Sequence, residues 1–163
     1  HGDGFYYSAY DAPEQGKEFS KFNDVHKIYY HKIGTPQSAD VLFYQNPSQP
    51  KRFYYADINE EETVMYLYEA GAGAGNNLFV RDLRQPDSQF IQMTSDMDYQ
   101  YSPVLTKGDK LYLYTNWQAP KGRIMVTDLR HPGLSDWKEL IAEQSNTLDG
   151  VSPINGMLIL TSS

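Results

Sequence analysis

Asp82-Leu83-Arg84-Gln85-Pro86 returns as Asp128-Leu129-Arg130-His131-Pro132 about 46 residues further along the chain. Four of the five positions are identical. The same shift superimposes two flanking segments on later counterparts: Val64–Tyr68 on Lys110–Tyr114, and Asn77–Val80 on Arg123–Val126. The agreement therefore extends over most of one period, and the chain contains an internal repeat.

Two further copies of the repeat flank this pair. A backward shift of about 50 residues places Lys27–Tyr30 on the same template. Three positions are then equivalent: Ile33, Leu83 and Leu129. Another copy begins at Asp149–Ile154, which resembles Gln100–Val104, and it is predicted to be incomplete. The chain thus reads as three copies and the start of a fourth.

Repeats of 40 to 50 residues built from short strands are typical of β-propeller blades, each a sheet of four antiparallel strands. In the second copy the predicted strands are Phe53–Ile58, Val64–Tyr68, Asn77–Leu83 and Gln89–Met93. Turn-forming residues fill the gaps between them. The fold class predicted is all-β, a single partial propeller over residues 1–163. Its blades cover approximately residues 1–50, 51–97 and 98–145, with an incomplete blade at 146–163.

Three blades cannot close a ring, because propellers use about four to eight. The natural chain is therefore expected to be longer, with two blade faces uncovered here. Open faces carry apolar strands, so self-association is also expected. The first copy has a polar insertion, Asp11–Asp24, between its second and third strands, and such insertions map to a propeller rim.

One segment is ambiguous in its local pattern. Asp136–Gln144 carries apolar residues at helical spacing, and Asp136 could cap a helix. Its repeat equivalent, Ser88–Met93, is too short for a helix and suits a strand. The repeat outweighs the local spacing, so an outer strand is predicted.

Composition excludes several classes of function. The chain has a formal net charge of −7 and no cluster of Lys and Arg, which argues against nucleic-acid binding. It has no cysteine, which excludes disulfides and thiolate zinc sites and leaves the compartment open. No apolar stretch approaches the roughly 18 residues of a membrane span. Neither a membrane nor a nucleic acid is therefore an expected partner.

Four stretches closely resemble the propeller of prolyl oligopeptidases: Asp3–Asp11, His26–Leu42, Asn77–Leu83 and Trp137–Ile141. The most specific is His31-Lys32-Ile33-Gly34-Thr35-Pro36-Gln37, which a generic propeller has no reason to contain. The resemblance implies a seven-bladed propeller covering an α/β-hydrolase domain that cleaves short peptides after proline with a Ser-Asp-His triad. The implied partners are proline-containing peptides and that hydrolase domain. A cytoplasmic or bacterial periplasmic location stays undecided.

No catalytic residue is expected in this chain. A hydrolase nucleophile needs Gly-x-Ser-x-Gly on a strand-to-helix turn. The nearest window, Gly150–Gly156, has Pro153 after Ser152, and proline lacks the N–H that would complete an oxyanion hole. The segment is thus interpreted as a non-catalytic, substrate-gating part of a serine endopeptidase. The alternatives are a non-enzymatic propeller used as an interaction platform, and the propeller of a related oligopeptidase or dipeptidyl peptidase.

The resemblance also implies positions that line the substrate pocket. Phe53, at the entry to an innermost strand, matches such a position, and the loop that begins Glu69, Ala70, Gly71 aligns with a family loop facing the substrate. The competing interpretation of Phe53 is ordinary packing between sheets. Gly71–Gly75 lacks the Lys-Ser/Thr ending and following helix of a phosphate cradle, so a flexible loop is predicted.

The remaining polar and aromatic candidates receive structural interpretations. His26 and His31 would face opposite sides of a strand, so hydrogen-bonded or surface histidines are predicted, with no metal and no cofactor. The run Glu60–Glu62 is predicted to be a solvated turn. Six tyrosines recur at the repeat period, which favours packing between blades over a ligand-binding patch: Tyr54, Tyr55, Tyr66, Tyr68, Tyr112 and Tyr114.

Overall fold

The computed structural model describes residues 3–10, 25–154 and 157–162. Over this part the regular structure is almost entirely β. The strands are β1 (Gly4–Ala9), β2 (Lys27–Lys32), β3 (Val41–Gln45), β4 (Phe53–Ile58), β5 (Val64–Ala70), β6 (Asn76–Asp82), β7 (Ile91–Gln92), β8 (Tyr101–Lys107), β9 (Lys110–Thr115), β10 (Arg123–Asp128), β11 (Lys138–Ile141), β12 (Leu148–Ile154) and β13 (Met157–Ser162). Short 3₁₀ helices lie at Gln37–Ala39 and Leu134–Asp136. Within the described ranges no helix has the length and apolar character needed to cross a membrane.

The strands form four antiparallel sheets in succession. Their orders are β1-β2-β3, β4-β5-β6-β7, β8-β9-β10-β11 and β12-β13. The segments 46–52, 93–100 and 142–147 join one sheet to the next. The prediction of an all-β partial propeller is confirmed. The first sheet has three strands over the described residues where four were predicted, and they correspond to the second to fourth strands of the complete sheets.

One backbone contact recurs in the first three sheets, just after β2, β6 and β10. Ile33 N donates to Asp3 O at 2.8 Å, Leu83 N to Thr63 O at 2.9 Å, and Leu129 N to Asp109 O at 2.8 Å. Each bond joins the end of one strand to the turn that precedes its neighbour. The equivalence of Ile33, Leu83 and Leu129 in the sequence repeat is therefore an equivalence in space.

The ambiguous segment after residue 133 forms a strand, as the repeat predicted. Trp137 ends the 3₁₀ turn, and Lys138–Ile141 pairs with β10. Trp137 is buried, meets the ring of Tyr101 edge-on at 5.6 Å, and donates from Nε1 to Pro132 O at 2.8 Å. The buried Trp137 thus fixes the start of this strand, and the ladder with β10 fixes the rest. The insertion predicted at Asp11–Asp24 lies outside the described residues.

The core lies in the spaces between sheets, because each strand turns alternate side chains to opposite neighbours. Ile28, Tyr54 and Leu67 fill the space between the first and second sheets. Val64, Tyr66 and Leu111 belong to a larger cluster between the second and third. Burial raises the pKa of Tyr68, which packs on that cluster, to about 12. The predicted packing role therefore holds for the buried tyrosines, whereas Tyr55 is 51% exposed.

Candidate functional site

The candidate site lies at the free edge of β4, the first strand of the second sheet. β4 pairs with β5 on one side only, so its other edge needs partners for its backbone polar groups. His26 and Ser8, from the first sheet, supply them. Tyr54 N donates to His26 Nδ1 at 2.8 Å, and Ser8 Oγ donates to Tyr54 O at 2.7 Å. The edge is thereby fixed against the neighbouring sheet.

Three exposed aromatic rings surround His26 at this edge. Phe53 is 41% exposed and meets the imidazole edge-on at 5.5 Å, Tyr55 lies at 5.6 Å, and Tyr10 lies at 5.0 Å. His26 itself is only 6% exposed, and burial lowers its pKa from the ordinary histidine value. We call Tyr10, His26, Phe53 and Tyr55 the edge cluster. Its rings present an apolar surface beside a hydrogen-bonded strand edge.

Exposure of Phe53 and Tyr55 is not required by the blade architecture. In the third sheet, Tyr101 occupies the position of Tyr54 and is equally buried. The residues on either side of Tyr101 are Gln100 and Ser102, both polar and exposed. The second sheet therefore has an exposed aromatic pair on its first strand, and the third sheet does not.

Glu69 is buried in a hydrogen-bond network within the chain. Its Oε1 accepts from Arg52 Nη1 at 2.6 Å and from Asn77 Nδ2 at 3.0 Å, and its Oε2 accepts from the Tyr54 hydroxyl at 2.7 Å. Burial, and then this carboxylate, raise the pKa of Tyr54. Glu69 is only 3% exposed and both of its carboxylate oxygens accept hydrogen bonds within the chain. It therefore stabilises the β4 edge through Tyr54 and Arg52.

The glycine-rich loop between β5 and β6 packs closely, where a flexible loop was predicted. Gly75 N donates to Met97 O at 2.7 Å, and Asn76 N donates to Tyr99 O at 2.9 Å. A Cβ at Gly75 would collide with the carbonyl oxygen of Tyr99. Glycine is needed here because the loop backbone lies directly against the segment that enters the third sheet.

The four predicted pocket residues lie at one end of the second sheet. Phe53 is paired with Ala70 across the β4–β5 ladder, Glu69 precedes Ala70 on β5, and Gly71 lies beside Arg52. Ala70 and Gly71 are half-buried. Tyr10, Arg52 and Asn77 also belong to this region and were not predicted from the sequence. Tyr55 could have been placed beside Phe53, since residues two apart on a strand share a face.

Other candidates lie away from the edge cluster. His31 Nδ1 is 2.6 Å from Asp40 Oδ1, and the Tyr7 hydroxyl donates to Asp40 Oδ2 at 2.5 Å, which lowers the pKa of Asp40. Both histidines are thus hydrogen-bonded, as predicted. Glu60–Glu62 is an exposed turn. In the part of the chain that the structure describes, no group of three or more His, Asp or Glu could hold a metal.

Successive antiparallel sheets with the core in the spaces between them define the chain as a segment of a β-propeller domain. The family model described as "Prolyl oligopeptidase, N-terminal beta-propeller domain" matches residues 1–163. The chain belongs to this family, as the resemblance in its sequence indicated.

Relatives and solved structures agree with this assignment. The chain is 36% identical over 147 residues to the prolyl endopeptidase of Elizabethkingia meningoseptica, a match covering 90% of this chain and 21% of the relative. Prolyl oligopeptidase B from Galerina marginata, bound to a 25mer macrocyclization substrate, superposes with a TM-score of 0.85 at 25% identity, covering 98% of this chain and 23% of that one. Oligopeptidase B from Trypanosoma brucei, with covalently bound antipain, shares the fold with a TM-score of 0.72 at 21% identity, covering 100% and 22%. The chain spans about a fifth of the length of the curated relatives it matches.

Proposed function

We propose that this chain is a substrate-gating segment of the propeller of a serine endopeptidase that cleaves short peptides after proline. The family match over residues 1–163 carries the proposal. Relatives that are prolyl endopeptidases support it. The hydrolysis itself would belong to an α/β-hydrolase domain outside these residues.

The segment is proposed to be non-catalytic. Ser152, the serine nearest to a nucleophile pattern, lies inside β12 and pairs with Ile159, whereas a hydrolase nucleophile sits on a strand-to-helix turn. The test is hydrolysis of a chromogenic Gly-Pro amide by the purified chain. We expect no turnover above buffer. Turnover that disappears in Ser152→Ala would refute this part of the proposal.

Phe53 is proposed to contact the peptide, with Ala70 and Gly71 beside it and Glu69 acting indirectly through Tyr54 and Arg52. An exposed ring next to a fixed strand edge can stack on a proline ring or cover an apolar side chain. In the protein that joins this chain to its hydrolase domain, Phe53→Ala should raise KM for a proline-containing peptide and leave kcat nearly unchanged. The matched control is Ile91→Ala, which removes a similarly exposed apolar side chain from the outer strand β7. Equal kinetics of the two variants would contradict a contact at Phe53.

Self-association of the isolated chain is proposed to use the face of the first sheet that turns away from the second. Phe5 and Leu42 are 53% and 42% exposed there, and Tyr7 stacks on Tyr29 at 5.7 Å. Exposed apolar patches of this kind drive association. Light scattering over a concentration series should show dimers or larger species, reduced in Phe5→Ser. A strict monomer at high concentration counts against this interface.

A further inference from the structure

The strand edges of the second and third sheets are held by equivalent contacts made with different chemistry. In the third sheet the side-chain amide of Asn76 binds both backbone polar groups of Tyr101. Its Oδ1 accepts from Tyr101 N at 3.2 Å, and its Nδ2 donates to Tyr101 O at 3.0 Å. In the second sheet the tasks are divided, with His26 accepting from Tyr54 N and Ser8 donating to Tyr54 O. An amide does not titrate near neutral pH, whereas an imidazole does.

The contact to Tyr54 requires one protonation state of His26. An imidazole nitrogen accepts a hydrogen bond only through its lone pair, so Nδ1 must be unprotonated and the neutral ring carries its proton on Nε2. In the imidazolium form both nitrogens are donors. A proton on Nδ1 would face the N–H of Tyr54, replacing a hydrogen bond by two opposed donors.

Among the residues that the structure describes, the surroundings of His26 offer little to compensate a charge. The groups packed against the ring are Phe53 and Tyr55 from β4 and Tyr10 from the end of β1. Lys27, the next residue in the sequence and the first of β2, is a cation. The lowered pKa of His26 has burial as its cause, with no described carboxylate opposing it. Among the described groups, a protonated His26 would therefore carry a poorly paired charge in the interface between two sheets.

We propose that protonation of His26 releases the backbone N–H of Tyr54 and loosens the β4 edge, with Phe53 and Tyr55 on it, from the first sheet. His26 is thus a pH-sensitive positioning residue for the edge cluster. A consequence for peptide binding rests on the proposed function, whereas the release of Tyr54 does not.

The experiment measures amide hydrogen exchange of the whole chain by NMR, from about pH 7.5 to about pH 5, across the range where histidines titrate. After correction for intrinsic exchange, the protection of the Tyr54 amide should fall roughly fivefold, as for the loss of one hydrogen bond. The Tyr101 amide is the internal control and should keep its protection, because Asn76 does not titrate. The fall at Tyr54 should share its midpoint with the titration of the His26 ring nitrogens.

The variant His26→Asn copies the third-sheet solution and should hold Tyr54 equally at both pH values. If the asparagine cannot reach Tyr54, the protection of the Tyr54 amide will be low at both pH values and again independent of pH. This result equally supports His26 as the source of the pH dependence. Constant protection of Tyr54 while His26 titrates would overturn the proposal, as would a parallel fall at Tyr101. If the Tyr54 amide loses protection as described but the peptide affinity of the longer protein does not change over the same pH range, the proposed contact at Phe53 fails and the assignment to His26 stands.

Discussion

Arg84 Nη2 donates to Asp109 Oδ1 at 2.7 Å and thereby joins the end of β6 to the turn between β8 and β9. Arg130 Nη2 donates to the second oxygen of the same carboxylate at 2.6 Å. The two arginines occupy the same position in the repeated pentapeptides. The repeat that reveals the fold in the sequence also supplies a link between adjacent sheets.

The first prediction concerns the ionisation of Asp109. The hydrogen bonds from Arg84 and then from Arg130 lower the pKa of Asp109 below its usual value. Because the folded-state pKa is the lower one, any stability from this group is complete above the unfolded value of about 3.9 and is lost as the pH falls through the folded pKa. We expect Arg84→Ala to raise the pKa of Asp109 more than Arg130→Ala does, measured by NMR of the side-chain carboxyl.

Salt provides the control for this prediction. The three side chains are partly exposed, so their attraction is screened and contributes little to overall stability. Added salt should move the pKa of Asp109 toward the usual value in the wild type and less in Arg84→Ala. Identical titration of Asp109 in the two proteins would contradict the role of Arg84.

The second prediction concerns the glycine-rich loop. Gly75→Ala should destabilise the chain by about 1–3 kcal/mol, the usual cost of overpacking, because the new Cβ meets the backbone of Tyr99 and not a movable side chain. Gly133→Ala is the matched control, since nothing lies within 4 Å of its added Cβ and its φ of −62° suits any residue. Denaturant unfolding monitored by circular dichroism measures both. Equal unfolding midpoints for the two variants would show that the loop can shift to accommodate a Cβ at residue 75 without loss of stability.

Much of the fold could be predicted from the sequence because the repeat compares equivalent strands with one another. Asp136–Gln144 shows this best: its local spacing suggests a helix, and only its counterpart Ser88–Met93 indicates the strand that forms. The tight packing of Gly71–Gly75 could not be predicted, because it depends on where Met97 and Tyr99 lie in the segment that leads into the next sheet. Comparing the copies of a repeat identifies the strands that they share, but it does not reveal the contacts between neighbouring sheets.

The candidate site was predictable in part for the same reason. Phe53 and Glu69 were proposed from the family resemblance, and the structure brings them to one end of the second sheet. The burial of Glu69 was not predictable, since Arg52 and Asn77 come from different strands and loops. His26 was interpreted as hydrogen-bonded, but its partner is a backbone N–H in another sheet, which no local pattern encodes.

The third prediction concerns Asn76. Asn76→Ala leaves the N–H and C=O of Tyr101 without their side-chain partner at a residue that is 1% exposed. Leaving buried polar groups unpaired costs about 1–3 kcal/mol each, with solvent entry at the strand edge reducing the sum. We expect a loss of about 2 kcal/mol in the free energy of unfolding. Gln89→Ala, which removes an exposed amide from the segment before the outer strand β7, should change stability by less than about 0.5 kcal/mol.

The fourth prediction separates Tyr54 from its neighbour Tyr55 by removing one hydroxyl from each. Tyr54→Phe takes away the donor to Glu69 Oε2 and leaves a buried carboxylate oxygen unpaired, so a loss of about 1–3 kcal/mol is expected. Tyr55→Phe removes a hydroxyl from a half-exposed ring and should cost less than about 0.5 kcal/mol. Urea unfolding measures both.

A double-mutant cycle decides whether the loss at Tyr54 arises from Glu69. Glu69→Gln keeps the shape of the side chain and gives up one acceptor oxygen, so it also weakens the bonds from Arg52 and Asn77. If Tyr54 and Glu69 act through their shared hydrogen bond, the double variant should lose less stability than the sum of the single ones, by about 0.5–3 kcal/mol. Strict additivity would mean that the Tyr54 hydroxyl is stabilised by other groups and that Glu69 holds the strand edge through Arg52 and Asn77 alone.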